Sequence, residues 1–313
     1  MQCWDLVLLR PLRSSKMNLE KIQNEVLEKE DNFVVLENGV IIHSSLPLTN
    51  LKIVKSIDLK VIHFIDKNIE INIEIASGIS AKIEEIYYSV KNDVWINTNI
   101  KIAEYACLDY LNFERNEDDK KVTTNINIHL GKEARINNKS IVLFDGAVTS
   151  NQFIYLDGEG AVNDSINVII NSSEAKQDFT YHLYHQVPNT TSNMINYAIC
   201  KKKSLLNVNT HGIIVKGAKN TNLSQKVKGL LMDFEAMISA NPKLQIDEYD
   251  CMASHGASIG AIDEDELYYL MSRGLTKEAS ETLIVEGFIN PFLLEVKDEK
   301  FQDYIKYWSS KHI

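Results

Sequence analysis

A histidine among small residues, Ser254-His255-Gly256-Ala257, stands just before a well-capped helical stretch and is the side chain best suited to chemistry. Imidazole is a borderline ligand that can hold iron when neutral, and it titrates near physiological pH. The small neighbours leave the ring accessible. The competing reading is a structural histidine that caps a turn. Cys251 offers a thiol four residues earlier, either a second metal ligand or a buried, inert side chain. His182 and His185, in Tyr-His-Leu-Tyr-His, form another possible pair. Residues three apart on a strand face opposite sides, so shared ligation there needs a bend, and structural roles are expected. Cys107 and Cys200 read as core residues.

Several chemistries are excluded. The four cysteines, Cys3, Cys107, Cys200 and Cys251, contain no C-x-x-C pair, which rules out a zinc ribbon and a self-contained ferredoxin-type cluster. Their scatter suits a reducing, cytoplasmic setting. Val215-Lys216-Gly217-Ala218-Lys219 lacks the second glycine of a phosphate-binding loop, and Asp157-Gly158-Glu159-Gly160 is not a dinucleotide fingerprint. No G-x-S-x-G elbow exists. A net charge of −10 argues against a general nucleic-acid-binding role. No run reaches the roughly 18 apolar residues of a membrane span. The opening MQCWDLVLLRPLRSSK has arginines after its short apolar run and no small-residue cleavage site, so it is a poor signal peptide, and Met17 is the expected initiator.

The elements that must hold these residues change character along the chain. Leu19, Ile22, Val26 and Leu27 fall at helical spacing over Asn18–Glu30. Asn38-Gly39 between apolar runs predicts a hairpin within Asp31–Ser45, since both residues accept positive φ. From Leu51 to Ile246 short strands dominate. Ile69, Ile71, Ile73 and Ile75 alternate with polar residues, and further runs fall at Val94–Ile102, Thr124–Leu130, Ile141–Phe144, Phe153–Leu156, Ile166–Ile170, Phe179–Tyr184, Leu205–Val208 and Ile213–Val215. Many short strands without long helices mean a sandwich, a barrel or a β-solenoid, and periodicity leaves the three open. After Ile246 helices return. Asp263 and Glu266 make a capping box, Gly274 takes the C′ position, and Thr276 caps a second helix running to about Phe288. Asn290-Pro291 is expected to break it, with a last helical segment over Pro291–Trp308. Leu267, Leu270 and Met271 share one helical face, and Leu283, Ile284 and Phe288 another. The charge run Glu114–Lys121 reads as a solvated loop.

Four ordered segments carry a family resemblance over Phe144–Phe292. His185 with Pro188, Thr190 and Ser192 is similar to an H-x-x-P-x-T-x-S segment. Gly217-Ala218, Thr221, Gln225 and Leu230-Leu231 resemble a G-A-x-x-T-x-x-x-Q-x-x-x-x-L-L row, and Pro242–Ile246 a P-x-L-x-I strand. Ser254–Leu275 then follows S-H-G-A-T-x-G-x-[IL]-D-E-D-x-L-F-Y-L-x-S-R-G almost position by position. The chain thus resembles the SufB/SufD family of iron–sulfur cluster assembly proteins. It looks SufD-like, because the E-H-E-A-T-T-S corner and G-x-x-C-G-A-H segment of SufB are missing. Two departures stand out: Ala253 holds the place of a cysteine frequent in SufD, with Cys251 out of register, and the N-terminal half is short.

The resemblance implies a mainly β protein, a right-handed parallel β-helix core with short N-terminal and C-terminal α-helical segments. Its expected divisions are an N-terminal helix and hairpin over 1–50, a β-helix over 51–250 and a helical region over 251–313. It further implies a non-catalytic subunit that pairs with a SufB-like protein through the β-helix and docks a SufC-like ATPase through the C-terminal helices. His255, with Cys251 as a lesser candidate, would ligate iron or a transient iron–sulfur cluster at the SufB interface. Asp263, Leu267, Tyr268, Tyr269, Met271, Arg273 and Gly274 would belong to the docking region, although helix capping alone also explains Arg273 and Gly274. The alternatives are a SufB-like homodimeric scaffold and a β-solenoid carbohydrate-active enzyme. The latter needs clustered acids or bases on successive turns, and none is recognisable.

Overall fold

The computed structural model describes residues 27, 32–47, 50–90, 92–116 and 120–312. Apart from Leu27, the helix expected over Asn18–Glu30 lies outside these residues, as do Met17 and Cys3. The described chain alternates between two sheets and winds a parallel β-solenoid of about eight turns. The first sheet runs β18 (Cys251–Ala261), β16 (Thr221–Leu231), β14 (Thr191–Cys200), β12 (Val162–Asn171), β10 (Arg135–Phe144), β8 (Cys107–Asn116), β6 (Ser80–Val90), β4 (Ile57–Ile65), β1 (Phe33–Glu37) and β2 (Val40–Ser44). The second runs β17 (Met237–Ile246), β15 (Leu205–Ile214), β13 (Lys176–His185), β11 (Val148–Leu156), β9 (Val122–Leu130), β7 (Val94–Ile102), β5 (Ile69–Ile75) and β3 (Leu51–Ile53). Only β1–β2 is antiparallel among these pairs, the expected hairpin, with Asn38 and Gly39 at φ 51° and 80°.

Register is strict from turn to turn. Ile83, Tyr110, Asn138, Ser165, Met194, Gln225 and His255 form one column, each step advancing the chain by 27 to 31 residues. Inward positions are apolar where isoleucines stack and polar where hydrogen bonds run along the column. Ser140 donates to Asn167 and Asn167 to Asn196, both at 2.8 Å, which satisfies buried groups that would otherwise be costly. The turns stack as closely as the strands. A Cβ at Gly158 would come 2.0 Å from the Lys132 backbone nitrogen of the preceding turn.

The two sheets differ outside. Strands of the second are buried on one face only, as in the strict alternation of β5 and β11. Three helices follow, α1 (Glu264–Ser272), α2 (Lys277–Leu293) and α3 (Glu299–Lys311); α2 and α3 cover part of the first sheet's outer face in a second core joining Ile62, Phe113 and Val168 to Val285, Phe292 and Phe301. Its strands therefore end in continuous buried runs, as Ile141–Phe144 does.

Four sequence expectations are corrected. The region 251–313 opens with a full strand, so Ser254-His255-Gly256 is not a turn before the helix but the middle of β18. Helix α2 passes through Pro291 and breaks only at 294–298, because burial of Phe292 and Leu293 outweighs one lost backbone hydrogen bond. Its buried face carries Val285, Ile289 and Phe292, while Leu283 is exposed and α1 buries no residue. The charge run is no solvated loop at its start: Glu114 and Arg115 are buried in β8, and the Arg115 guanidinium lies 3.7 Å from the Trp308 ring centre.

Candidate functional site

The candidate site is the last turn of the described solenoid. Among the described residues β17 and β18 each pair on one side only, which leaves two neighbouring strand edges and the inward faces of the terminal turn open. His255 stands in that turn, exposed, in register with fully buried Gln225 one strand below. In-register neighbours share a face, so His255 points to the inward side, and it is accessible only because no further turn covers it. Ile246 and Ile259 are partly exposed at the same end, and Phe234 and Tyr249 project fully into solvent from the turns flanking β17.

Cys251 shares the face of His255 but lies four residues away. Along a strand that separates them by about 13 Å, too far for one ion to be held by both. The Cys251 thiol instead donates to the Glu248 carbonyl at 3.2 Å. Cys200 is buried, and loss of solvation pushes its thiol up to about 11; Cys107 is half-buried rather than fully in the core. Among the described residues no group of three or more histidine, cysteine or acidic side chains is arranged to hold a metal.

His182 and His185 take separate places in the packing. His185 is fully buried, with Nδ1 2.7 Å from Thr190 Oγ1 and Nε2 2.7 Å from Ser192 Oγ. Thr190 continues to Thr221 at 3.2 Å, so the H-x-x-P-x-T-x-S segment and the threonine of the next motif close into one polar knot. Burial lowers the His185 pKa to about 4, which leaves it neutral. His182 faces the other way, stacked on Phe153 at 4.9 Å and tilted against His211 at 5.5 Å. The two do not converge.

Helix α1 begins at Asp263, whose carboxylate accepts from the Asp265 and Glu266 amides, and it ends at Gly274 with φ 97°. Tyr268, Tyr269 and Met271 are exposed, Leu267 is half-buried, and the Arg273 guanidinium sits 5.1 Å from the Tyr269 ring centre. This is an aromatic and methionine surface with little of its own to pack against. Sequence reading gave no role to Gln225 and did not single out Thr210. Only register across the turns reveals that both lie beneath His255. No helix of the described residues is long and apolar enough to cross a membrane.

Residues 68–288 match the family model described as SUF system FeS cluster assembly, SufBD core domain. The iron-sulfur cluster assembly protein SufD of Bacillus subtilis is 36% identical over 126 residues, 40% of this chain and 29% of that protein. An iron-sulfur cluster assembly SufBD family protein of Pyrococcus horikoshii is 41% identical over 90 residues, 29% of this chain and 20% of its own length. One from Mycobacterium tuberculosis (strain ATCC 25618 / H37Rv) is 31% identical over 123 residues, 39% of this chain and 14% of its own. The chain thus matches less than a third of the length of each of these relatives.

Proposed function

Because the chain belongs to the SufBD core-domain family of SUF iron–sulfur cluster assembly, we propose that it is a SufD-type, non-catalytic scaffold subunit. One observation carries this reading: His255 stands exposed on a terminal turn whose two strand edges are both unpaired. A SufB-like partner adding strands to β17 and β18 would cover that turn and bring its own donors to the imidazole. One ligand from this chain is insufficient for iron, so the site is shared, and the cluster is cargo rather than a resident cofactor. The His255 imidazole would contribute a lone pair, and a partner covering the solenoid end would exclude water around it.

A SufC-like ATPase would dock on α1 and α2, where Tyr268, Tyr269 and Met271 offer adaptable contact area. The chain has no phosphate-binding loop, so the energy of nucleotide hydrolysis reaches it from that partner. The proposed setting is the cytoplasm.

Co-expression with SufB-like and SufC-like proteins, affinity capture and anaerobic absorbance spectroscopy test this. The expected result is a three-component complex with cluster absorbance that weakens when His255 is replaced by alanine. Failure to capture either partner would overturn it. A native mass showing only a dimer of this chain would favour the homodimeric scaffold instead.

A further inference from the structure

Gln225 lies in β16 with its side chain inside the solenoid and no exposed surface. Thr210, from β15 in the opposite sheet, donates its hydroxyl to the Gln225 carbonyl oxygen at 2.9 Å. One end of the carboxamide is therefore clamped across the interior. The other end is idle: Nε2 is buried and has no hydrogen-bond partner. Room for the amide is specific, because a Cβ at Gly212 on the facing strand would come 2.8 Å from Nε2.

A buried amide without a partner is rare in native cores and points to a missing group. The column supplies two neighbours. On one side is Met194, whose thioether is a weak acceptor. On the other is His255, one strand spacing away, about 4.8 Å, in the turn proposed to work. A carboxamide offers either its oxygen or its NH2 to a given side by turning about its last bond. The Thr210 hydroxyl serves both orientations, since it donates and accepts.

We propose that Gln225, clamped by Thr210, is the positioning residue for His255: its carbonyl oxygen turns toward the terminal turn, takes the imidazole N–H, and leaves the second ring nitrogen bare at the open end. A histidine that ligates a metal needs its other nitrogen held in this way, which fixes both tautomer and ring orientation. The inference rests on the reading of His255 as the working residue, but its test requires neither partner nor cluster.

The full chain, labelled with 15N at histidine and free of metal, is observed by long-range proton–nitrogen correlation at one neutral pH, with His255 assigned from a His255→Gln spectrum. The expected result is a single His255 tautomer. Gln225→Leu should relax it to the mixture of a free imidazole, Thr210→Val should give a partial mixture, and Gln225→Glu, which keeps the acceptor, should retain one tautomer. The signals of buried His185 report whether each variant is folded. Unchanged His255 signals in folded Gln225→Leu and Thr210→Val, or a free-imidazole mixture in the native chain, would overturn the proposal. Loss of cluster assembly in His255→Ala with this tautomer pattern absent would sink the positioning role and spare the function; the reverse outcome would do the opposite.

Discussion

Lys60 Nζ lies 2.6 Å from Asp298 Oδ2, tying a strand near the start of the solenoid to the first turn of the last helix, 238 residues later. The other carboxylate oxygen caps α3 by accepting from the Phe301 amide at 2.9 Å. Burial works to raise the Asp298 pKa, but the Lys60 hydrogen bond, the Phe301 amide and the lysine charges hold it below the usual carboxylate value.

Asp298→Ala removes the cap and the nearer of two carboxylates beside the Lys60 ammonium, leaving Glu84 at 3.9 Å. The expected loss is about 2–4 kcal/mol, from one lost N-cap and one lost charge-assisted hydrogen bond. Asp298→Asn keeps an oxygen for the cap and should lose less. Denaturant unfolding of the two variants checks the order, and equal losses would deny Asp298 its double role.

Glu114 gives the protein an alkaline weakness. Burial first, then repulsion from Glu85, pushes its pKa up to about 8, while the Asn112 hydrogen bond opposes them. The unfolded chain releases that proton near 4.5, so between 4.5 and 8 the folded state binds the extra proton and stability falls as pH rises. The slope is at most about 1.4 kcal/mol per pH unit. His185 works the other way: burial lowers it from 6.5 to about 4, so its contribution is present above 6.5 and lost as pH falls toward 4. Of the two, Glu114 governs the window from 6.5 to 8. Unfolding free energies across that window should fall in the native chain and stay level in Glu114→Gln. Parallel profiles would remove Glu114 from this role.

At the open end, Ile246→Lys with Ile259→Lys places charges on residues that are about two-fifths exposed. The folded chain should keep its stability within about 1 kcal/mol, the range of surface changes with minor burial. Capture of a SufB-like partner should fall at least tenfold. Undiminished capture would move that interface elsewhere.

Helix α1 separates docking from folding. Tyr268→Ala with Met271→Ala touches exposed side chains, so the unfolding free energy should shift by about 0.5 kcal/mol or less while a SufC-like ATPase no longer co-purifies. Ile289→Ala, inside the second core, should cost about 2–5 kcal/mol. Retained ATPase binding in the double variant would reject α1 as the docking surface.

Much of the solenoid is legible because its outer sheet faces water on one side. The alternation at Val94–Ile102 marks β7 to the residue. The strands under the helices show only their apolar ends: Ile141–Phe144 is read, but Arg135–Ser140 hides because Asn138 and Ser140 are interior residues in polar disguise. Asn-rich columns look like loops until register supplies the neighbours that satisfy them. Ser254 and Gly256 suggest a turn for the same reason, since glycine and serine serve equally on a terminal strand that nothing overlies. Pro291 and Glu114-Arg115 mislead locally because distant packing decides them. The resemblance singles out His255, while Gln225 and Thr210, proposed as its supports, emerge only from which turn stacks on which.

A stacked array gains stability from each neighbour, so a unit with one neighbour opens before units with two. At the far end of the described solenoid that unit is the turn of β17 and β18, and β18 carries the histidine. Backbone amides from Cys251 to Ala261 therefore belong among the fastest-exchanging of the sheet in the isolated chain. Covering the edge would quiet them, so the event proposed to complete a metal-binding set would also make its first member rigid. Under the proposed pairing, a chain without its partner would be unfinished, and disarmed by its own fraying end.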